Sequence, residues 1–269
     1  LIQTRCDPKH ISRTIAGMNI LNALFMVAAA GVAIVLLGKG FTIPQLFLVT
    51  AILNALVAAY IFSLVPEFLM RFLAWILIQT VHRVKVVDGE RIPAEGAAVL
   101  VCNHVSYVDA IVIMAASPRP IRFVMDHRIF KMPLMGWIFR TAKAIPIAPA
   151  KEDPFLMEKA FIDIAQALHE GELVCIFPEG KLTRTGQISE FKGGIAKIVA
   201  RSKVPVIPLA LRGLWGHLLS HRNGHLFERA FKAGLRSRLS LAVGMPVPPE
   251  SATPELLQQK VQELRGKWK

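Results

Sequence analysis

Apolar and polar positions divide the chain into two parts with different periodicity. Two charge-free runs come first, 23 residues over 15–37 and 25 residues over 41–65, separated by a Gly-Lys-Gly turn. Each run is long enough to cross the hydrocarbon core of a bilayer as a helix. The sequence therefore predicts a transmembrane helical hairpin. A short aromatic-rich helix follows over 67–80, and its composition favours an interfacial position, with a buried core helix as the alternative.

From residue 82 onward, short apolar runs alternate between strand and helix periodicity. We predict a hairpin over 82–92 that turns at Asp88-Gly89 and strands at 97–102, 122–125, 144–147, 173–177, 205–211 and 239–243. We predict helices at 109–116, at 128–141 with an interruption at Pro133, at 154–169, at 189–201 and from Thr253 onward. Such alternation implies a mostly parallel α/β sheet flanked by helices. The predicted domains are a membrane part (1–80), an α/β domain (81–250) and a C-terminal helix or linker (251–269).

Charge and cysteine content narrow the possible partners. Residues 81–269 hold 27 Lys or Arg against 17 Asp or Glu, whereas residues 1–80 hold five against two. Such a basic domain needs an anionic partner, and the apolar hairpin favours membrane lipid over nucleic acid, for which no motif is present. The three cysteines are far apart and indicate a reduced protein without disulfides. Three histidines recur every four residues, but Gly224 interrupts them and we predict no metal site; they are His217, His221 and His225.

A His and an Asp five residues apart stand where the strand at 97–102 gives way to a helix. Inside a helix they would lie about 140° apart, so they meet only if His104 occupies the turn before it. A neutral imidazole against a buried carboxylate is a general base with a fixed tautomer. Alternatively, Asp109 is the acid of a capping box that begins at Ser106, and His104 is a hydrogen-bonded core histidine. These residues alone leave both interpretations open.

The segment after the strand at 173–177 combines a tight turn with several cations. In chain order its candidate residues are Phe177, Pro178, Glu179, Gly180, Lys181, Arg184, Lys192 and Gly193. Glycine lets a ligand approach the backbone closely, and cations beside backbone N–H groups at a helix N-terminus suit a phosphate. The alternative is an ordinary Pro-Glu-Gly turn with solvated basic residues.

Taken together, these motifs resemble those of the glycerolipid acyltransferase family. The runs Asn103-His104-x-Ser106-x-x-Asp109, Phe-Pro-Glu-Gly at 177–180 and Val-Pro-Val-Ile-Pro at 204–208 are similar to successive family motifs, over about residues 82–245. The resemblance implies transfer of a fatty acyl group from acyl-CoA or an acyl carrier protein to a glycerophospholipid hydroxyl. It implies that His104 is the base and Asp109 its partner, with no cofactor. It also implies that Asn103, Ser106 and the loop after residue 176 form the acceptor site.

Two positions depart from family members that acylate lysophosphatidic acid. Many such members carry an Arg where this chain has Leu182, and the second family motif usually has an Arg near a strand end, which is absent from residues 144–149. The run 180–186 is more similar to the acyltransferase half of 2-acylglycerophosphoethanolamine acyltransferases fused to an acyl-ACP synthetase. We therefore expect a lysophospholipid acceptor, with 1-acyl-sn-glycerol-3-phosphate as the alternative.

The hairpin resembles either the last two spans of a lysophospholipid transporter fused to such acyltransferases or the anchor of stand-alone members. The chain begins without an initiator Met, so we expect a fusion fragment. Five cations flank the hairpin and one lies in its turn, so the positive-inside rule places the α/β domain on the cytosolic side of the inner membrane. In the alternative of another class, a non-catalytic basic domain binds anionic lipid beside a transporter.

Overall fold

The computed structural model describes residues 10–106, 108–215 and 237–267, and it separates into two units between Leu64 and Val65. The first unit contains helices α1 (Ile11–Gly38) and α2 (Ile43–Leu64). A turn with Gly40 at a φ of +88° joins them, a conformation that glycine adopts without strain. Both helices are long and apolar enough to cross a membrane, which confirms the two predicted helical runs.

The second unit is built from helices and strands that alternate along most of its length. Its helices are α3 (Pro66–Val81), α4 (Asp109–Ala116), α5 (Pro133–Thr141), α6 (Pro154–His169), α7 (Gly194–Arg201) and α8 (Pro254–Arg265). Its strands are β1 (His82–Val87), β2 (Ala98–Cys102), β3 (Ile121–Asp126), β4 (Ile145–Ile147), β5 (Leu173–Ile176), β6 (Val206–Arg212) and β7 (Ser237–Val243). These elements form one α/β layer structure that includes α3, whereas the sequence pattern grouped the segment of α3 with the hairpin.

Within the described residues, seven strands form one sheet in the order β1-β7-β6-β2-β5-β3-β4. Every neighbouring pair is parallel except β6 and β7, which confirms the predicted mostly parallel sheet. Alternate residues of β2 enter two separate apolar clusters, Leu100 in one and Val99 and Val101 in the other. Both faces of the sheet are therefore covered, as expected for strands that are apolar throughout.

The predicted hairpin over 82–92 is wrong. Strand β1 runs parallel to β7, and after Asp88 the chain forms a 3-10 turn over Gly89–Arg91 instead of a returning strand. Arg91 explains the turn, because its guanidinium binds the carbonyl of Val243 and the carboxylate of Asp88. Ile92 then enters the core, where a hairpin strand at the sheet edge would have left it exposed.

Helix α3 is neither fully buried nor fully exposed. Met70, Ala74 and Ile78, spaced four residues apart, pack into the core of the second unit. The other side of the helix is apolar and exposed, and it includes Phe72 and Trp75. The structure therefore gives this helix one face typical of a core helix and one face typical of an interfacial helix.

The carboxyl ends of β2 and β5 lie side by side, because these strands pair in parallel from Ala98 with Leu173 to Val101 with Ile176. The loop after β2 holds residues 103–108, and the loop after β5 holds residues 177–193. Open α/β sheets bind ligands at this edge. The topology thus brings together two segments that are 75 residues apart in sequence.

Candidate active site

His104 and Asp109 meet at the carboxyl end of β2. His104 lies in the turn between β2 and α4, and Asp109 is the first residue of α4. The Nδ1 atom of His104 is 2.8 Å from Oδ2 of Asp109. The imidazole is 23% exposed, whereas the carboxylate is fully buried. The geometry that the five-residue spacing required is therefore present, with His104 before the helix rather than within it.

The Asp109 carboxylate has more than one partner. Its Oδ2 also accepts the backbone N–H groups of Val105 at 2.7 Å and Ser106 at 3.0 Å. Burial raises the pKa of Asp109, and the hydrogen bond from His104 opposes that rise. The bond from Ser106 is the one a capping box supplies, and the helix begins at Asp109 as predicted, with Val108 as its N-cap. One carboxylate therefore both holds the turn and orients the imidazole.

The dyad fixes how the histidine can act. A neutral imidazole that donates Nδ1–H to a carboxylate carries its lone pair on Nε2. The ring of Phe177 stacks on the imidazole, with centroids 4.2 Å apart and planes 20° apart. The ring therefore has one orientation, set by a hydrogen bond at one edge and an aromatic face on one side.

Glu179 ties the loop after β5 to the backbone of His104. Its side chain is 1% exposed, and burial raises its pKa while its backbone hydrogen bonds lower it. One carboxylate oxygen accepts the N–H of His104 at 2.8 Å, and the other accepts the N–H of Ser189 at 2.7 Å. The N–H of Thr183 binds the carbonyl of His104 at 2.9 Å. Both polar backbone groups of His104 are thus held by this loop.

Gly180 occupies a position that a larger residue would disturb. Its φ is +65°, and a Cβ there would lie 2.7 Å from Nζ of Lys192. The N–H of Lys192 binds the carbonyl of Pro178 at 2.9 Å, which holds the lysine beside the turn. The glycine therefore allows the Lys192 side chain to cross directly over the Phe-Pro-Glu-Gly turn.

A shallow cleft of about 490 Å³ opens next to this turn. Its lining includes three of the predicted phosphate-binding residues, which are Lys181, Lys192 and Gly193. Arg184 is exposed and does not line the cleft. Gly193 caps helix α7, which starts at Gly194 and not at residue 189 as the pattern predicted. The residues before α7 belong to the loop, where the N–H of Ser189 donates to Glu179.

Asn103 and Ser106, predicted to lie in the acceptor site, are both fully buried. The Asn103 amide accepts the N–H of Leu211 at 2.8 Å and donates to its carbonyl at 3.1 Å. Asn103 therefore joins the end of β2 to β6. The Ser106 hydroxyl accepts the N–H of Val108 at 3.4 Å, within the turn that carries His104. In this structure both side chains shape the turn.

Thr183 was not among the residues predicted for the site. Its hydroxyl donates to the carbonyl of Gln187 at 2.7 Å and accepts the N–H of Gly186 at 3.1 Å, while its own N–H reaches His104. A threonine in a polar loop carries no local signal for such a role, since its partner is almost 80 residues away. The three regularly spaced histidines from residue 217 lie outside the described residues.

The two described cysteines offer no alternative nucleophile. Cys102 and Cys175 are both fully buried, on the adjacent strands β2 and β5. Burial raises the pKa of both thiols above their ordinary value. Their interpretation as small core side chains agrees with this environment.

Glu179→Gln is expected to destabilise the second unit. The amide keeps one acceptor oxygen but turns an NH2 group toward a buried backbone N–H, which costs about 1–3 kcal/mol. We expect a lower melting temperature in detergent and a lower rate of whatever reaction His104 supports. Glu250→Gln, which changes an exposed acid outside the cleft lining, is the matched control. Equal melting temperatures for the Glu179 variant and the wild type would show that the hydrogen bonds of Glu179 contribute nothing to stability.

Comparison with known proteins supplies independent information on this domain. Residues 83–212 match the family model described as Acyltransferase. A 1-acyl-sn-glycerol-3-phosphate acyltransferase of Bacillus subtilis is 28% identical over 68% of this chain and 89% of its own length. A probable enzyme of the same name from Mycoplasma pneumoniae is 29% identical over 52% of this chain, and a chloroplastic one from Arabidopsis thaliana is 26% identical over 55%. The chain matches only 53% and 41% of the lengths of these last two proteins.

A solved structure shares the fold. The crystal structure of the 1-acyl-sn-glycerophosphate acyltransferase PlsC from Thermotoga maritima superposes with a TM-score of 0.57 at 20% identity. The match covers 76% of this chain and 81% of that one. The sheet with its flanking helices is therefore an architecture already seen in an experimental structure.

Proposed function

Residues 83–212 belong to the acyltransferase family, and from that premise we propose that the chain acylates a free hydroxyl of a glycerophospholipid at the membrane, with an acyl thioester as donor. The observation that carries the proposal is the 2.8 Å contact between His104 and Asp109 at the carboxyl end of β2. The chain is an O-acyltransferase by family. The acceptor, the donor and the roles of individual residues are the parts that we propose.

The proposed reaction is a direct transfer. Nε2 of His104 takes the proton of the acceptor hydroxyl as its oxygen attacks the thioester carbonyl. Asp109 holds the ring and stabilises the imidazolium that forms. The tetrahedral intermediate collapses, the C–S bond breaks, and the thiolate leaves with the proton that His104 held. An ester and a free thiol result, and the histidine returns to its neutral form.

The backbone donors of the His104 turn are already committed. The N–H of His104 goes to Glu179, and those of Val105 and Ser106 go to Asp109. A buried N–H group that already has a strong acceptor cannot also stabilise a developing oxyanion at low cost. The oxyanion of this reaction must therefore be stabilised by donors outside these three groups.

We place the acceptor head group in the cleft beside Gly180. Lys181 and Lys192 line it together with Gly193, at the N-terminus of α7. Two ammonium groups and a helix N-terminus attract a phosphate. The relatives reported above are named for 1-acyl-sn-glycerol-3-phosphate, which makes this lipid the first acceptor to test.

A second acceptor, a lysophospholipid with an ethanolamine head group, is favoured by the charges of the same cleft. Its lining also includes Glu190 and Glu255, so cationic and anionic side chains face one space. A zwitterionic head group presents one phosphate charge and one ammonium to such a site. Leu182 stands where many family members that acylate lysophosphatidic acid carry an Arg, so this chain lacks one cation that would bind a phosphomonoester.

One experiment decides between the two acceptors. The full chain in detergent is given a labelled acyl-CoA, or the same acyl group on acyl carrier protein, with each lysophospholipid in turn. Preference for 1-acyl-sn-glycerol-3-phosphate supports the first proposal, and preference for the ethanolamine lipid supports the second. Absence of transfer to every glycerophospholipid, with either donor and a correctly folded protein, contradicts both.

Lys192→Ala is expected to raise the KM for the acceptor about tenfold, because a lost contact between an ammonium and a phosphate weakens binding by about 1.5 kcal/mol. The KM for the donor should stay within about twofold, since the residue lies in the acceptor cleft. Lys197→Ala is the matched control, because Lys197 lies five residues further along, in α7, with its Nζ over the ring of Phe161 and outside the cleft lining. Equal effects of the two substitutions would place the head group elsewhere.

We propose that the hairpin anchors the chain in the inner membrane and that the α/β unit acts on its cytosolic side. The exposed apolar face of α3 supports a position at the membrane surface, because aromatic and aliphatic side chains such as Phe72 and Trp75 lie there without cover within the described residues. Helix α3 packs directly against α4, the helix that Asp109 begins. Acyl chains that enter along α3 would therefore arrive near the dyad. A fused transporter or a fused acyl-ACP synthetase domain, which the resemblance implies, is part of the same proposal.

A further inference from the structure

The loop that carries the proposed head-group cations is held from the far end of the chain. Helix α8 packs on β6, with Leu257 and Val261 fully buried. Its N-terminus is capped by the Thr253 hydroxyl, and the carbonyl of Leu264 at its other end accepts a hydrogen bond from Arg212 of β6. The helix is therefore fixed at both ends and offers a rigid support.

Two side chains of this helix reach the loop. Oε1 of Gln258 accepts the N–H of Phe191 at 3.0 Å. The guanidinium of Arg265 forks, with one nitrogen 2.8 Å from the carbonyl of Gly186 and the other 3.0 Å from Oε1 of Gln187. These bonds join residues that are 67 to 79 positions apart in sequence, and they hold the loop at two places.

The hydrogen bonds that hold Gly186 and Gln187 are connected to the dyad through Thr183. Thr183 closes a tight turn with both residues through its hydroxyl, and its N–H binds the carbonyl of His104 at 2.9 Å. Trp215 packs against Gly186, where a Cβ would lie 2.6 Å from the indole. A continuous path of hydrogen bonds therefore joins Arg265 to the backbone of His104.

From this path we propose that Arg265 is a positioning residue for the acceptor cleft, acting through the loop over 183–187 on the alignment of Lys181 and Lys192 with His104. Arg265 touches no reacting atom. Its guanidinium supplies two directed bonds, which a lysine cannot reproduce together. The proposal rests on the proposed function for its kinetic effect, but its structural effect on the loop does not.

The test compares Arg265→Ala with Arg265→Lys in the full chain in detergent, and Lys260→Ala is the control because it removes the same charge from the same helix. Arg265→Ala is expected to raise the KM for the acceptor about tenfold, with kcat and the KM for the donor within about threefold. The KM of Arg265→Lys for the acceptor should lie between those of Arg265→Ala and the wild type. Gln187→Ala combined with Arg265→Ala should add little, because both remove the same contact.

Hydrogen exchange supplies a readout that needs no activity. Backbone amides of residues 183–191 should exchange about tenfold faster in Arg265→Ala, while those of β2 and β5 keep wild-type rates. If the loop exchanges faster in Arg265→Ala but the wild type transfers no acyl group, the positioning role of Arg265 is upheld and the proposed function is contradicted. Unchanged loop exchange, or faster exchange spread through α8 and β6, overturns the positioning role. A control variant with the same acceptor KM as Arg265→Ala overturns it as well.

Discussion

His104→Ala is expected to lower kcat for acyl transfer about 10³-fold, within the range that general base catalysis contributes. The substitution removes the base, leaves the Asp109 carboxylate with its two backbone donors, and frees one face of Phe177. Because the imidazole is partly exposed, little core packing is lost. The melting temperature should therefore stay within about 3 °C of the wild type, a shift that corresponds to about 1 kcal/mol for a domain of this size.

The matched control is His127→Ala. His127 also follows a parallel strand, β3, and lies near two carboxylates, those of Asp126 at 3.6 Å and Glu152 at 3.5 Å. A histidine next to acidic groups at the same edge of the sheet is therefore removed without touching the dyad. Wild-type turnover in His104→Ala would show that His104 is not the base of the reaction, and an equal loss in His127→Ala would deny His104 a special role.

Asp109→Asn separates the catalytic interpretation from the capping interpretation. The amide oxygen can replace Oδ2 and accept the same backbone N–H groups of Val105 and Ser106. The negative charge that stabilises the imidazolium is gone, and we expect kcat to fall about 10²- to 10⁴-fold. The amide NH2 takes the place of Oδ1, which is buried without a hydrogen-bond partner among the described residues, so some stability is lost.

Asp109→Ala provides the comparison. It leaves both backbone N–H groups without an acceptor at a buried position, which costs about 1–3 kcal/mol for each group. We expect Asp109→Ala to melt well below Asp109→Asn while both are inactive, as measured by thermal unfolding and acyl transfer in the same detergent. An Asn variant with full turnover would reduce Asp109 to a helix-capping residue.

The residues of the dyad could be predicted from the sequence because the evidence was local. The apolar strand before residue 103 and the apolar helix after residue 109 left only a short turn between them. Helical geometry then required His104 to lie in that turn. The Phe-Pro-Glu-Gly turn was equally visible, since it follows a buried strand directly and ends in Gly180, a residue type that adopts a positive φ without strain.

The roles of Glu179 and Arg265 could not be predicted, because their partners are remote in sequence. A glutamate in a turn gives no sign that it will accept the N–H of a residue 75 positions earlier. The false hairpin over 82–92 has a similar cause. Asp88-Gly89 is a strong local hairpin signal, but a parallel partner 155 residues away in β7 and the contacts of Arg91 decided the outcome.

The central claim is that His104 and Asp109 act as one catalytic unit, and a double-mutant cycle tests it most directly. Initial rates of acyl transfer are measured for the wild type, His104→Ala, Asp109→Asn and the double variant, at equal concentrations of folded protein. Because groups that act as a unit are not additive, the double variant should be no slower than His104→Ala alone. If the two losses multiply instead, the residues act independently and the dyad does not exist as a functional unit.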